Sequence, residues 1–415
     1  MDVNYDLDRD IPVLEWEEHL AKRAEDMKSS AIRELLKLTG QPDIISFAGG
    51  LPAPDQFPIR EIEEACIYVT REEGVNALQY SPTEGYQPLK EFLADSMHKY
   101  GIPALPENVL MTNGSQQALD LIGKIFIDPG QYVLTGRPTY LGAIQAWKSY
   151  QGRFHTMRLD DEGMVVDEIE GAYQKALEDS GRPPAFLYVL PNFHNPAGTT
   201  LSLDRRKKLA ELATKLDLPV VEDDPYGELR YEGEDLPPIC TLIPERTVYL
   251  GTFSKTLTPG LRLGWIMCSQ VLMSKFVMAK QGADLHTGTF VQYIANDICQ
   301  RGILKPHIKR LRKVYKKRRD TMDEALTEFW PEECRWTRPE GGLFLYARLP
   351  EVLDTEEFLK ERALKENVAY VPGVHFFPNG DGGFNAMRLN FSYSTPDVIV
   401  EGIRRLGVAL KKELS

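Results

Sequence analysis

The stretch TVYLGTFSKTLTPGLRLGWIMC, residues 247–268, reads as two β-rich runs, TVYLGTF (247–253) and LGWIMC (263–268), on either side of a turn-rich segment that holds Lys255. Five similar runs lie upstream: NVLMT (108–112), YVLTG (132–136), FHTMRL (154–159), AFLYVLP (185–191) and PVVEDD (219–224). Helical patterns separate them. Between the last two, SLDRRKKLAELATKLD (202–217) places Leu209, Leu212, Ala213 and Leu216 on one helical face with charges on the other. Strands alternating with amphipathic helices predict βαβ units: an α/β fold with a large domain whose mixed, mostly parallel seven-stranded sheet is flanked by helices.

Beyond this block, HIKRLRKVYKKRRDTMDEALTEF (307–329) repeats apolar residues at Ile308, Leu311, Tyr315, Met322, Leu326 and Phe329, as a long amphipathic helix does. Its eight Lys/Arg between 309 and 319 read as a solvated face. After Pro331 short strand and helix patterns suggest a smaller α+β domain, built from the N- and C-terminal segments. The expected division is 1–55 for an N-terminal arm and part of the small domain, 56–320 for the large domain, and 321–415 for the small C-terminal domain.

Composition narrows the function. A net charge of −12 over 415 residues argues against a general polyanion-binding role, so no nucleic-acid partner is expected. The five cysteines (Cys66, Cys240, Cys268, Cys299, Cys334) are scattered and never spaced as C-x-x-C, which suggests reduced, mostly buried thiols and no metal site. The N-terminus is acidic without an apolar targeting core, and no stretch approaches 18 uninterrupted apolar residues. A cytoplasmic protein without a membrane partner is expected.

The chemistry gathers where strands end. In open α/β sheets, ligands bind at the carboxyl ends of strands. NVLMT leads through Asn113-Gly114 into a helix opening at Ser115-Gln116, a possible phosphate site because helix N-termini present free N–H groups. AFLYVLP is followed by Asn192, Asn195-Pro196 and Gly198, PVVEDD ends in Asp223 and Asp224 with Tyr226 just beyond, and TVYLGTF ends at Lys255 with Thr252, Ser254 and Arg262 near it. A phosphate cradle, a lysine able to form a Schiff base and an acid aimed at a ring nitrogen are the parts of a pyridoxal phosphate site.

With these residues in place, the sequence resembles the fold-type I, pyridoxal-phosphate-dependent aminotransferases of class I/II. The motifs that carry the resemblance are GGLP (49–52), QYSPTEGYQPL (79–89), TNGSQQALDL (112–121), RPTYLGA (137–143), PNFHNPAG (191–198), EDDPYGEL (222–229), GTFSKTLTPGLRLGW (251–265) and MRLNFS (387–392). SFAGGLPAPDQFP and LQYSPTEG are most similar to the 2-aminoadipate and kynurenine aminotransferase branch.

The resemblance implies a role for each matching residue. Lys255 would hold the cofactor as a Schiff base and then act as the base at the substrate Cα. The D-x-x-Y spacing selects Asp223 over Asp224 as the partner of the pyridine nitrogen, and Tyr226 and Asn195 would bond the cofactor's phenolic oxygen. Tyr140 would stack on the ring. Gly114, Ser115, Gln116, Thr252, Ser254 and Arg262 would hold the phosphate, with Thr252 standing where relatives often carry Ser. Tyr80 would reach the site of a second copy, which implies a homodimer.

Arg388 would clamp the substrate carboxylate, together with Asn195, Gly50 and Tyr140 in the substrate site. Arg33 would meet a distal carboxylate, and Ile32 and Leu51 would line an apolar pocket. The implied reaction moves an amino group from a 2-aminoadipate, aromatic or branched-chain L-amino acid to 2-oxoglutarate by a ping-pong mechanism. A lyase or decarboxylase on the same cofactor, and a non-enzymatic regulator that binds it, are the alternatives.

Overall fold

The computed structural model describes residues 14–25 and 43–414. Its principal sheet contains β1 (Val109–Thr112), β2 (Tyr132–Arg137), β3 (Arg153–Asp160), β4 (Gly163–Met164), β5 (Leu187–Val189), β6 (Val220–Asp223), β7 (Thr247–Thr252) and β8 (Gly264–Met267). Their order across the sheet is β1-β8-β7-β6-β5-β2-β3-β4. All seven β-rich runs form strands. The expected count of seven is corrected to eight by β4, which pairs antiparallel with the end of β3 and at two residues is too short to show any alternation.

Strands β7, β6, β5, β2 and β3 run parallel, whereas β8 is antiparallel to both neighbours, β7 and β1. Strand β1 therefore points the same way as β7, so six strand-end segments open on one edge of the sheet. Period-two alternation sorts the buried side chains between faces. Tyr188 of β5 packs with Leu110, Leu119 and Trp147 on one face, while Leu187 and Val189 pack with Leu134, Leu209 and Ala213 on the other. Helices Gly114–Phe126 and Leu141–Lys148 cover the first face; Ile169–Ser180 and Leu203–Lys215 cover the second.

Helix Leu203–Lys215 departs from the expected polar outer face at one position. Arg206 is wholly buried, and its guanidinium donates to the carbonyls of Leu201 (2.9 Å), Pro237 (2.8 Å) and Pro191 (3.1 Å) and to Asn192 Oδ1 (2.6 Å). A buried cation is tolerated when its donors are satisfied. Here it pins both ends of the 191–201 loop, which carries Asn195.

A second, antiparallel sheet is formed by β9 (Arg335–Trp336), β10 (Phe344–Arg348), β11 (Val371–Pro372) and β12 (Ala386–Asn390) in the order β9-β10-β12-β11. Ile45–Ser46 pairs in parallel with Val368–Ala369, tying the N-terminal chain to this C-terminal body. Its core joins Phe47, Tyr315, Leu326, Met387 and Ile403. Helix Leu304–Phe329 is continuous over 26 residues, so the 320/321 division falls inside it. Ile308, Leu311, Tyr315, Met322 and Leu326 are buried as the periodicity predicts.

The basic run on that helix is not wholly solvated. Arg318 and Arg319 are buried, Arg318 against Asp55 at 2.9 Å and Arg319 against Glu232 at 2.7 Å. Asp55 and Glu232 sit on other elements, which no periodicity reveals, while Asp320 of the same helix also accepts from Arg319 at 2.7 Å. All five cysteines are free thiols, Cys66 half-buried and the rest buried. No helix among the described residues is long and apolar enough to cross a membrane.

Candidate active site

The shared strand edge opens into a cavity of about 360 Å³ lined by Gly50, Ser115, Gln116, Tyr140, Asn195, Asp223, Tyr226, Thr252, Ser254, Lys255, Arg262 and Arg388, with Leu190, Pro225, Pro259 and Phe344 completing the wall. Residues up to 338 positions apart in the chain thus share one chamber. Six of them arrive from strand ends of the principal sheet: Ser115 after β1, Tyr140 after β2, Asn195 after β5, Asp223 on β6, and Thr252 and Lys255 at the end of β7.

One end of the cavity is built for an anion. Helix Gly114–Phe126 starts there, with Ser115 and Gln116 in its first turn and the positive end of its dipole toward the chamber. Thr252 Oγ1 donates to Ser254 Oγ at 3.0 Å and accepts from the Ser254 N–H at 3.1 Å, which sets both hydroxyls. Arg262 adopts a left-handed backbone (φ 52°), an uncommon cost for a non-glycine residue outside a functional site. Gly114, at φ 72°, lies so near that a Cβ there would stand 2.6 Å from Arg262 Nη2.

Burial shapes the chemistry of Asp223. On β6, Val221 and Asp223 share one face, whereas Glu222 points to the other and accepts from the N–H groups of Ile239 and Cys240 at 2.7 and 2.8 Å. Asp224 is held outside the chamber wall by Asn192 (2.9 Å) and Tyr249 (3.1 Å). Asp223 Oδ2 accepts from Tyr188 at 2.8 Å, while buried Oδ1 has no partner among the described residues. Desolvation, with a smaller contribution from Asp224, pushes its pKa from 3.8 up to about 7. This carboxylate calls for a cationic or N–H partner from a ligand.

Lys255 Nζ donates to the Gly50 carbonyl at 2.7 Å. Burial, followed by the nearby charges of Arg388 and Arg262, lowers its pKa from 10.5 to about 8. The neutral, nucleophilic amine is therefore accessible near neutral pH. In cofactor-free protein, reductive methylation of Lys255 followed by mass spectrometry should quicken as pH rises through about 8 and then level off. An ordinary lysine, titrating near 10.4, keeps quickening beyond pH 10; that behaviour at Lys255 would show the amine to be unperturbed.

Arg388, on β12, is 2 % exposed. Its Nη1 donates to Asn195 Oδ1 at 2.9 Å and its Nη2 to the Ala48 carbonyl at 2.6 Å, while Nε is buried without a partner. The guanidinium rests 4.3 Å from the ring centroid of Phe344 and 5.1 Å from that of Phe376. Gly50 approaches the same aromatic wall, and a Cβ there would stand 3.2 Å from the Phe344 ring.

Four expected positions stand apart. Tyr80 is 79 % exposed and lies outside this cavity, edge-on to His286 at 5.7 Å. Leu51 is exposed and is not among the residues lining the chamber; its carbonyl accepts from Ser392 Oγ at 2.7 Å. Arg33 and Ile32 lie outside the described residues. Two contributors escaped the sequence reading, Tyr188 and Phe344. Each sits in an apolar run with another large aromatic two residues away on the same face, Phe186 and Tyr346, so nothing in the sequence singles it out.

Comparison with known proteins gives the chamber its context. A family model for aminotransferases of class I and II matches residues 42–406. Aromatic-amino-acid aminotransferase 1 of Thermococcus litoralis is 48% identical over 405 residues, covering 97% of this chain and 96% of that protein. The crystal structure of kynurenine aminotransferase from Pyrococcus horikoshii, in complex with PMP, matches with a TM-score of 0.92 at 46% identity, covering 97% of this chain and 99% of that one. The α-aminoadipate aminotransferase of Thermus thermophilus, complexed with N-(5'-phosphopyridoxyl)-L-leucine, gives 0.88 at 44% identity over 97% and 99% of the two chains. With the family model spanning nearly the whole chain and relatives of such identity at full length, the protein belongs to the class I and II aminotransferases.

Proposed function

We propose that this aminotransferase transfers an amino group from an L-amino acid of the 2-aminoadipate, aromatic or branched-chain type to 2-oxoglutarate, in a ping-pong cycle served by Lys255. The carrying observation is a single chamber that holds a buried lysine of depressed basicity, a buried carboxylate with a free oxygen and an anion cradle. Pyridoxal phosphate, when bound, supplies an aldehyde that accepts amino groups and a ring that draws electrons from the substrate Cα.

The residues fit this group. Ser115, Gln116, Thr252, Ser254 and Arg262 would hold the phosphate at the helix start, and Asp223 Oδ1, which lacks a partner among the described residues, would accept from the ring nitrogen. Tyr140 would pack on the ring face, and Asn195 and Tyr226 would donate to the phenolic oxygen. Lys255 Nζ would anchor the cofactor at its aldehyde and carry the substrate Cα proton. Leu190, Phe344 and the prolines narrow the chamber against water.

Arg388 binds the substrate α-carboxylate, with Asn195 and the Gly50 backbone beside it. Arg388→Lys loses the planar fork, so KM for the amino acid should rise by about 10- to 100-fold while the cofactor absorbance is unchanged. An unaltered KM in steady-state kinetics would remove Arg388 from this role. Arg33, outside the described residues, is proposed for a distal carboxylate of acidic donors on the family resemblance alone.

Two copies pair so that Tyr80 of each completes the other's phosphate site. The exposed run of Val75, Leu78 and Tyr80 supports this pairing, since contiguous exposed apolar surface marks an interface. Substrate choice is tested by following cofactor absorbance in half-reactions with 2-aminoadipate, aromatic, branched-chain and glutamate donors. A new amino acid formed from 2-oxoglutarate is the expected product; pyruvate with ammonia, or carbon dioxide, would replace transamination with lysis or decarboxylation.

A further inference from the structure

Helix Leu304–Phe329 turns a second face, Lys309, Arg312, Lys313 and Lys316, toward a separate cleft of about 350 Å³. These positions follow an i, i+3, i+4, i+7 spacing, so their side chains project from one side of the helix. Arg230 lines the same cleft and is 5 % exposed. Its Nη1 is paired with Glu340 at 2.6 Å and its guanidinium lies 4.7 Å from the centroid of Phe193, but its buried Nη2 has no hydrogen-bond partner among the described residues.

The charges are unevenly compensated. Lys316 is paired with Glu232 (2.8 Å) and Asp320 (2.9 Å), and Arg312 donates to the Glu228 carbonyl (2.7 Å) with the Glu228 carboxylate 3.8 Å away. Asp235 is the one acidic residue of the lining, 3.8 Å from Arg230 Nε. Lys309 and Lys313 are exposed and have no ion pair or hydrogen bond among the described residues. In a chain of net charge −12, two exposed ammonium groups in register with Arg312 on one wall of a cleft form a localised donor set.

We propose that this cleft binds a small phosphate-bearing anion, independently of the catalytic chamber. A tetrahedral oxyanion with several acceptors suits the point charges of Lys309 and Lys313 beside the Arg312 guanidinium on one wall of the cleft. Glu228, Glu232, Asp235 and Glu340 surround the basic face, which admits a small anion but opposes a long polyanion laid across it.

The test is calorimetric titration of the cofactor-loaded enzyme, whose catalytic phosphate site is filled, with pyrophosphate and with glycerol 3-phosphate at constant ionic strength. Binding of either below about 1 mM supports the site, and their ratio tells polyphosphate from phosphate ester. The exposed double variant Lys309→Gln/Lys313→Gln should weaken binding at least about tenfold, with melting temperature and transamination rate unchanged. Equal binding by wild type and variant, absence of binding, or abolition by sodium chloride at matched ionic strength would overturn the proposal. So would a short single-stranded oligonucleotide that binds more tightly through the same two lysines.

Discussion

Lys255→Ala is expected to lower turnover by about 10,000-fold or more, the scale of losing a general acid–base group together with a covalent anchor. The substitution removes the only lysine among the described residues of the chamber wall and with it the donor to the Gly50 carbonyl. Added cofactor should still enter, because the phosphate cradle is untouched, but it should wash out on dialysis and lack the absorbance of the lysine-attached form. The fold should persist, since a buried amine whose basicity is already depressed by desolvation contributes little net stability. Retained turnover in a single-turnover assay would place the base elsewhere.

Asp223→Asn should separate stability from activity. In the cofactor-free protein the folded state holds the Asp223 proton up to about pH 7, whereas the unfolded chain releases it near 3.8. The folded state thus binds more protons within that window, and stability declines as pH rises through it, by about 4 kcal/mol at most. Asparagine removes this decline, so cofactor-free Asp223→Asn should melt higher than wild type at pH 8 and about equally at pH 3.5. With cofactor bound, the same change should reduce turnover by about 1000-fold, since a neutral amide no longer stabilises positive charge at the ring nitrogen. A melting profile that does not depend on pH in either protein would contradict the assigned burial penalty.

Much of this architecture was legible because buried parallel strands are written as short continuous apolar runs. The run PVVEDD announced both β6 and the acid at its end, and TVYLGTF announced β7 and Lys255. What escaped was non-local. The hairpin strand Gly163–Met164 is too short to carry a pattern. Arg206, Arg318 and Arg319 read as solvent-facing because a periodicity argument takes charge as a sign of exposure, yet Pro237, Asp55 and Glu232, which help to bury them, come from elsewhere in the chain. Tyr188 and Phe344 looked like ordinary strand residues until the sheet set one beneath Asp223 and the other beneath Arg388.

By itself, the sequence determined the α/β class, the succession of seven strands along the chain and the chemical types waiting at their ends, because alternation and turn chemistry are local properties of a chain. Tertiary structure alone decided what those groups became. Asp223 acquired a free oxygen and a pKa near 7, and Lys255 an amine near 8, only when the chamber closed around them. Desolvation and the fields of Arg262 and Arg388 depend on distances across folded segments, and such distances have no counterpart in sequence spacing.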